Sequence, residues 1–330
     1  MKGDGVILKV ENLKKYFPLR AGVFKRIVGW VRAVDGVSFE VFSGETLGIV
    51  GESGCGKSTL GMTILRLLEP TGGRIIFEGK DVSALSPNNL QKLRRDMQMI
   101  FQDPFSSLNP RMSIQALIEE GMRVHRIVPP PEMSKEVTRL LEQVGLSREC
   151  ARRFPHEFSG GQRQRINIAR AIALRPRLII ADEALSSLDV SVRSQILNLL
   201  QELKKEYSLT YLFISHDLAV VRQICHRILV MYLGKAVELA PKKLFFDRPL
   251  HPYSVALISA VPVPDPDYHK KRIILKGDVP SPIHPPSGCR FHTRCPVVQE
   301  VCGRVEPPFV EVEEGHFVAC HFPGSLTLLE

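Results

Sequence analysis

Gly51-Glu52-Ser53-Gly54-Cys55-Gly56-Lys57-Ser58 spaces glycines, a lysine and a serine as a phosphate cradle requires. The glycines let main-chain N–H groups turn inward around a β-phosphate, and the helix start that follows adds partial positive charge. Ser53, Gly54, Cys55, Gly56 and Thr59 are expected to line that cradle. Lys57 is expected to reach the β- and γ-oxygens of a nucleoside triphosphate, and the Ser58 hydroxyl to ligate Mg²⁺. Cys55 occupies a variable position of the loop and reads as a tolerated small residue. Downstream, Leu178-Ile179-Ile180-Ala181-Asp182-Glu183 places two carboxylates at the end of an apolar run. Asp182 suits a Mg²⁺ held through water. Glu183 suits a general base that polarises the attacking water. Either motif alone has a bland reading, as a glycine-rich turn or an acid-capped strand. Together they point to triphosphate hydrolysis.

The elements around them must hold these groups in place. Leu47–Val50 reads as a strand running into the loop, and residues 59–68 as a buried helix stopped near Pro70 and Gly72-Gly73. Strand-like runs recur at Val6–Val10, Val37–Val41, Arg74–Phe77, Met97–Phe101, Leu178–Ala181 and Thr210–Ile214, with a helix at about 190–207. Strand–helix–strand alternation implies a parallel sheet covered by helices. From about Ser113 to Ala173 the pattern turns helical, broken at Pro129-Pro130-Pro131, and reads as an inserted subdomain. Past about residue 262 the prolines 262, 264, 266, 280, 282, 285 and 286 punctuate a stretch of little periodicity. A domain boundary is placed there, and no internal repeat is evident.

Composition bounds the rest. The 330 residues are 44% hydrophobic and 24% charged, which excludes wholesale disorder and suits about two domains. A net charge of +9 asks for an acidic or phosphorylated partner without choosing among them. No segment reaches the ~18 apolar residues a membrane span needs, and Met1-Lys2-Gly3-Asp4-Gly5 opens no signal peptide. The expectation is a cytoplasmic protein whose membrane role, if any, comes through a partner.

A second phosphate-binding surface is written at Phe158-Ser159-Gly160-Gly161-Gln162-Arg163-Gln164-Arg165, ahead of a helix carrying Ile166, Ala169 and Ile172. Ser159 is a good N-cap, and the glycines expose main-chain donors at a positive helix end. One ATP needs one cradle, so two make sense if each serves a different nucleotide in a head-to-tail dimer. This segment resembles the ABC ATPase signature, with Phe158 where Leu is commoner. The whole set is similar to the nucleotide-binding subunits of ABC transporters over roughly residues 6–262.

That resemblance assigns further roles. Gln102 matches the Q-loop glutamine that contacts Mg²⁺ and the attacking water. Ser186-Ser187-Leu188-Asp189 matches the D-loop, and His216 the switch histidine on the γ-phosphate. Tyr16 matches the aromatic that stacks on adenine, with Phe17 as its rival and a hydrophobic plug as its plain alternative. The resemblance implies ATP held between residues 51–59 of one subunit and Ser159, Gly160, Gly161 and Gln162 of another. It implies an α/β fold: a RecA-like phosphate-loop core, an antiparallel β subdomain, an inserted helical subdomain at about 107–176 and a small loop-rich metal-binding tail. The expected division is an ABC nucleotide-binding domain over 1–262 and a C-terminal domain over 263–330.

The run Ile100–Ser113, the run Ala181–Ser191 and His251-Pro252-Tyr253 look like the oligopeptide/dipeptide importer ATPases. The basic insertion Leu19–Arg32, with Val23-Phe24-Lys25-Arg26 and the single Trp30, resembles the F-type subunit of these pairs more than the D-type. By itself the insertion reads as a hairpin loop, with a membrane-surface patch as the alternative. The branch implies a sister ATPase in a heterodimer (or a homodimer of the isolated chain), two transmembrane permease subunits and an extracytoplasmic peptide-binding protein. The location implied is the cytoplasmic face of the membrane, peripheral via the permeases. Importers of a nickel complex or another small solute use similar ATPases. A soluble ABC ATPase acting on nucleic acid is the other alternative, and no nucleic acid is expected because neither a long coiled coil nor a second cassette is present.

Four of the seven cysteines, Cys289, Cys295, Cys302 and Cys320, crowd the last fifth of the chain. Four thiolates can surround a metal centre. Similar tails in the peptide-importer ATPases carry a 4Fe–4S cluster on four cysteines, so the resemblance favours that cluster, with zinc or merely buried thiols as alternatives.

Overall fold

The computed structural model describes residues 5–22, 24–186, 188–261 and 272–327. Val23 of the insertion, Ser187 of the D-loop run, the prolines at 262, 264 and 266, and the boundary expected at 262–263 lie outside the described residues. The chain forms two compact units. One is built mainly from Ala84–Phe213 with Phe42–Glu45, the other from Val6–Val41, Thr46–Ser83 and Ile214–Glu330.

In the first unit the strands Thr210–Ile214, Leu178–Asp182 and Met97–Ile100 lie side by side in that order. Met97 faces Leu178 and Ile100 faces Ala181 in a parallel ladder. Every residue of Leu178–Asp182 is buried, as a parallel strand covered on both faces should be. Helices Ile114–His125, Met133–Gln143, Gly160–Ile172 and Val190–Tyr207 complete the unit. Ile114, Leu117, Ile118 and Met122 bury one stripe, Val137, Leu140 and Leu141 the next. Ser113 caps the first of these helices by accepting from the Ala116 N–H at 3.3 Å, and the prolines separate it from the second. A helix at Pro87–Asp96 was not expected from the sequence. Its residues are mostly polar, so no apolar stripe announced it.

The second unit carries an antiparallel sheet in the order Arg26–Phe42, Val6–Ala21, Gly72–Phe77, Lys80–Asp81. The basic insertion is the far end of the first pair, with Phe24 84% exposed and Trp30 44%. A further set runs Val310–Glu313, His316–Val318, Lys235–Pro241, Arg227–Tyr232, Thr46–Val50. Only the last pair is parallel, with Gly48 opposite Ile228; the other pairs are antiparallel. The parallel sheet expected from the sequence is therefore mixed. The helix expected at 59–68 is shorter, Lys57–Ile64, because the chain leaves it through Leu65 and a left-handed Arg66 (φ 54°).

The tail, expected to be loop-rich, packs its buried residues against its neighbours. Phe291 is buried edge-on against Tyr232 (5.2 Å between centroids) and tilted on Tyr253 (5.4 Å). His316 and Val318 are buried where their strand joins Lys235–Pro241. Glu238, with no exposed surface, accepts from the Leu250 and His251 N–H groups at 2.9 and 2.8 Å and pairs with His316 Nε2 at 2.7 Å. No described helix is long and apolar enough to cross a membrane.

Candidate functional site

The strand Thr46–Val50 delivers the chain to a loop whose glycines are left-handed for a reason. Gly51 has φ 150°, and a Cβ there would stand 2.2 Å from the Met231 carbonyl oxygen. Gly56 has φ 103°, and a Cβ there would stand 2.0 Å from that of Ala33. Side chains are therefore shut out at both positions, and the loop can curl tightly. Gly56 is also the N-cap of Lys57–Ile64, so the first-turn N–H groups of that helix have no helical carbonyl to meet. Lys57 is buried, and its ammonium donates to the Gly51 and Glu52 carbonyls at 2.8 and 3.0 Å. A positive charge thus sits inside the loop. Cys55 packs beneath it, and burial raises its thiol pKa. Ser53 and Gly54 are exposed at the rim, and Ser58 and Thr59 are half-buried.

Tyr16 is half-buried on the long strand Val6–Ala21, with its hydroxyl donating to Asp35. Burial and that carboxylate push its pKa up to about 12. Asp35 is buried. Burial opposes its charge, but the Tyr16 hydroxyl and the Arg290 guanidinium outweigh it and hold its pKa low. Phe17 instead lies under the Lys15 ammonium, 5.0 Å from the ring centre.

In the other unit, Asp182 ends its strand buried, and Glu183 turns the chain with φ 45°. The Ser186 N–H and hydroxyl donate to the Glu183 carbonyl at 3.0 and 2.9 Å, which closes that turn. Gln102 Nε2 donates to Glu183 Oε2 at 3.0 Å. The structure therefore brings Gln102 and Glu183 together. Asp189 is exposed at the N-cap position of Val190–Tyr207, and its side chain makes no capping bond there.

Ser159 caps Gly160–Ile172 as expected. Its hydroxyl accepts from the Gln162 N–H at 3.4 Å, while Gln162 Oε1 accepts from the Ser159 N–H at 3.0 Å. Gly161 faces Val192 so closely that a Cβ would lie 2.6 Å from Cγ1. Arg163 donates to the Pro155 carbonyl at 2.7 Å and stacks on Phe105 at 3.8 Å, and Arg170 donates to the Ser107 carbonyl at 2.7 Å. The signature helix thus grips the segment that follows Gln102. His216, in the second unit, is exposed ahead of Asp217, which caps Leu218–Ile224.

None of the seven cysteines, all among the described residues, is joined in a disulfide. The Cys289 N–H donates to the Cys302 carbonyl at 2.8 Å, which folds the tail back on itself. Burial, then the neighbouring Cys302 and Cys295, push the Cys289 pKa up to about 11. Burial, then Cys289, Cys295 and Cys302, do the same for Cys320. Among the described residues no group of three or more His, Cys, Asp or Glu is placed to hold a metal ion. The metal-binding tail expected from the sequence is to that extent not shown.

Sequence reasoning missed Arg290 and Arg294. Arg294 clasps the Glu52 carboxylate at 2.7 and 3.1 Å, and Arg290 is buried against Asp35. Both stand inside Cys289-Arg-Phe-His-Thr-Arg-Cys295, where the cysteines drew the attention and two charges in a buried turn were the available signal.

Residues 34–186 match the family model described as ABC transporter, and residues 237–302 the one described as oligopeptide/dipeptide transporter, C-terminal region. The chain is 56% identical over 318 residues to the oligopeptide transport ATP-binding protein AppF of Bacillus subtilis, covering 96% of this chain and 97% of that one. It is 54% identical to a probable peptide ABC transporter ATP-binding protein of Sinorhizobium fredii, covering 96% and 89%. In fold it is similar to the ATP-binding cassette MJ0796, solved as a dimer bound to ADP and Pi, with TM-score 0.64 and 28% identity over 71% of this chain and 98% of that one.

Proposed function

The chain belongs to the oligopeptide/dipeptide branch of the ABC transporter ATP-binding proteins, and from that membership we propose how its residues divide the work. It is an ATP-hydrolysing subunit of a peptide importer with the ABC ATPase fold. Permease subunits in the membrane and a substrate-binding protein are its partners, and its place is peripheral to the membrane.

Lys57 and the N–H groups of the 51–59 loop hold the β- and γ-phosphates. Tyr16 covers the adenine. Ser58, Gln102 and Asp182 are oxygen donors of the hard kind Mg²⁺ prefers, and the ion, when bound, offsets charge on the phosphates. Glu183 takes the proton of the attacking water, and Gln102 holds the carboxylate ready for it. His216 meets the γ-phosphate. Ser159, Gly160, Gly161 and Gln162 meet the nucleotide of a second ATPase subunit, a sister chain in a heterodimer, with Asp189 beside them. The 1–262 and 263–330 division follows the same reading. The observation that carries it is the strained glycine loop curled around a buried Lys57. Peptide uptake by the reconstituted complex, measured with and without ATP, tests it. ATP-independent uptake contradicts it.

For the tail, we propose a 4Fe–4S cluster on Cys289, Cys295, Cys302 and Cys320. Four cysteines in one short tail, folded back on itself where the Cys289 N–H meets the Cys302 carbonyl, support it. The cluster would tie down this stretch of the tail.

A further inference from the structure

The tail reaches back to the nucleotide loop through two arginines four residues apart. Arg294, with only 9% of its side chain exposed, makes both its bonds to the Glu52 carboxylate. The Glu52 N–H donates to the Tyr253 hydroxyl at 2.7 Å, so Glu52 is held at main chain and side chain alike. Its carbonyl in turn accepts from the Lys57 ammonium at 3.0 Å. Arg290 pairs with Asp35 and also donates to the Leu233 carbonyl, and Asp35 accepts from the Tyr16 hydroxyl. Phe291, between the two arginines, is locked among Tyr232, Tyr253 and His251. An exposed ion pair fixes little, but a bidentate pair in a buried turn fixes both partners.

We propose that Arg294 and Arg290 are positioning residues for ATP: Arg294 sets Lys57 through Glu52 at the phosphate end, and Arg290 sets Tyr16 through Asp35 at the base end. The tail thereby serves the nucleotide site directly. The inference rests on the reading of the 51–59 loop and Tyr16 as the ATP site.

The two arms have different signatures. Arg294→Ala, in the full chain, weakens ATP and CTP binding alike, by roughly tenfold for a displaced phosphate contact. Arg290→Ala, or the milder Asp35→Asn and Tyr16→Phe should the first fail to fold, narrows the preference for ATP over CTP, because the ring that covers the base is no longer tethered. Combining Glu52→Arg with Arg294→Glu restores part of the lost affinity. Arg304→Ala, which breaks only the exposed pair with Glu300, changes nothing. Equal losses for both nucleotides in every variant would mark a merely structural role and overturn the proposal. So would wild-type affinity and preference in all of them. If instead Lys57→Ala binds ATP as wild type does, the reading of the loop fails rather than the inference.

Discussion

Gln102 Nε2 donates to Glu183 Oε2 at 3.0 Å, joining the end of one strand to the end of its parallel neighbour. The bond aims a carboxylate that the left-handed backbone at Glu183 already projects from the strand. Gln102→Ala should therefore lower kcat by about tenfold or more, a part of what a general base contributes, with ATP affinity little changed. Steady-state hydrolysis and a nucleotide titration separate the two. Unchanged kcat would leave the glutamine no part in the chemistry.

Gly56→Ala should abolish tight nucleotide binding. The new methyl collides with the Ala33 carbonyl and sits at φ 103°, a strain of about 1–3 kcal/mol on backbone alone. Gly44→Ala, also at positive φ but facing open space, is the comparison, and it should bind as wild type does. Isothermal titration with ATP decides between them.

Protein purified without oxygen should carry iron and sulfide and a broad visible absorption. Replacing Cys302, the most buried of the four thiols, with Ser should remove both. Colourless protein with one zinc per chain would exclude the cluster.

His316 gives the tail a pH dependence of defined sign. Burial opposes its charge, but Glu238 and Glu313 outweigh that and raise its pKa above the ordinary 6.5. A group whose pKa rises on folding stabilises most below its unfolded pKa. Stability should thus be lost as pH climbs above 6.5 and through the folded value. His251, held down to about 4 by burial, works in the opposite direction and only below 6.5, so the two windows are separate. Melting curves between pH 6.5 and 9 should fall for the wild type and flatten for His316→Gln. Parallel curves would contradict the assignment.

The chemistry was legible where it is local. The 51–58 loop, Asp182-Glu183 and the Ser159 cap are short runs whose glycines, acids and N-cap residue state their own geometry. The tail was not, because its order comes from across the chain. Phe291 finds its core in Tyr232 and Tyr253, and His316 finds its partner in Glu238, 78 residues earlier. Period-based reading sees no pattern in such a segment. For the same reason Arg290 and Arg294 could not be told from surface charge, since their partners Asp35 and Glu52 lie 255 and 242 residues away.

Glu183→Gln is the most direct test of ATP hydrolysis by this chain. It keeps the side chain's size and its place beside Gln102 while removing the base. ATP should bind with near wild-type affinity, and turnover should fall by roughly 10²–10⁴-fold. Full turnover in that variant would show that Glu183 is not the base.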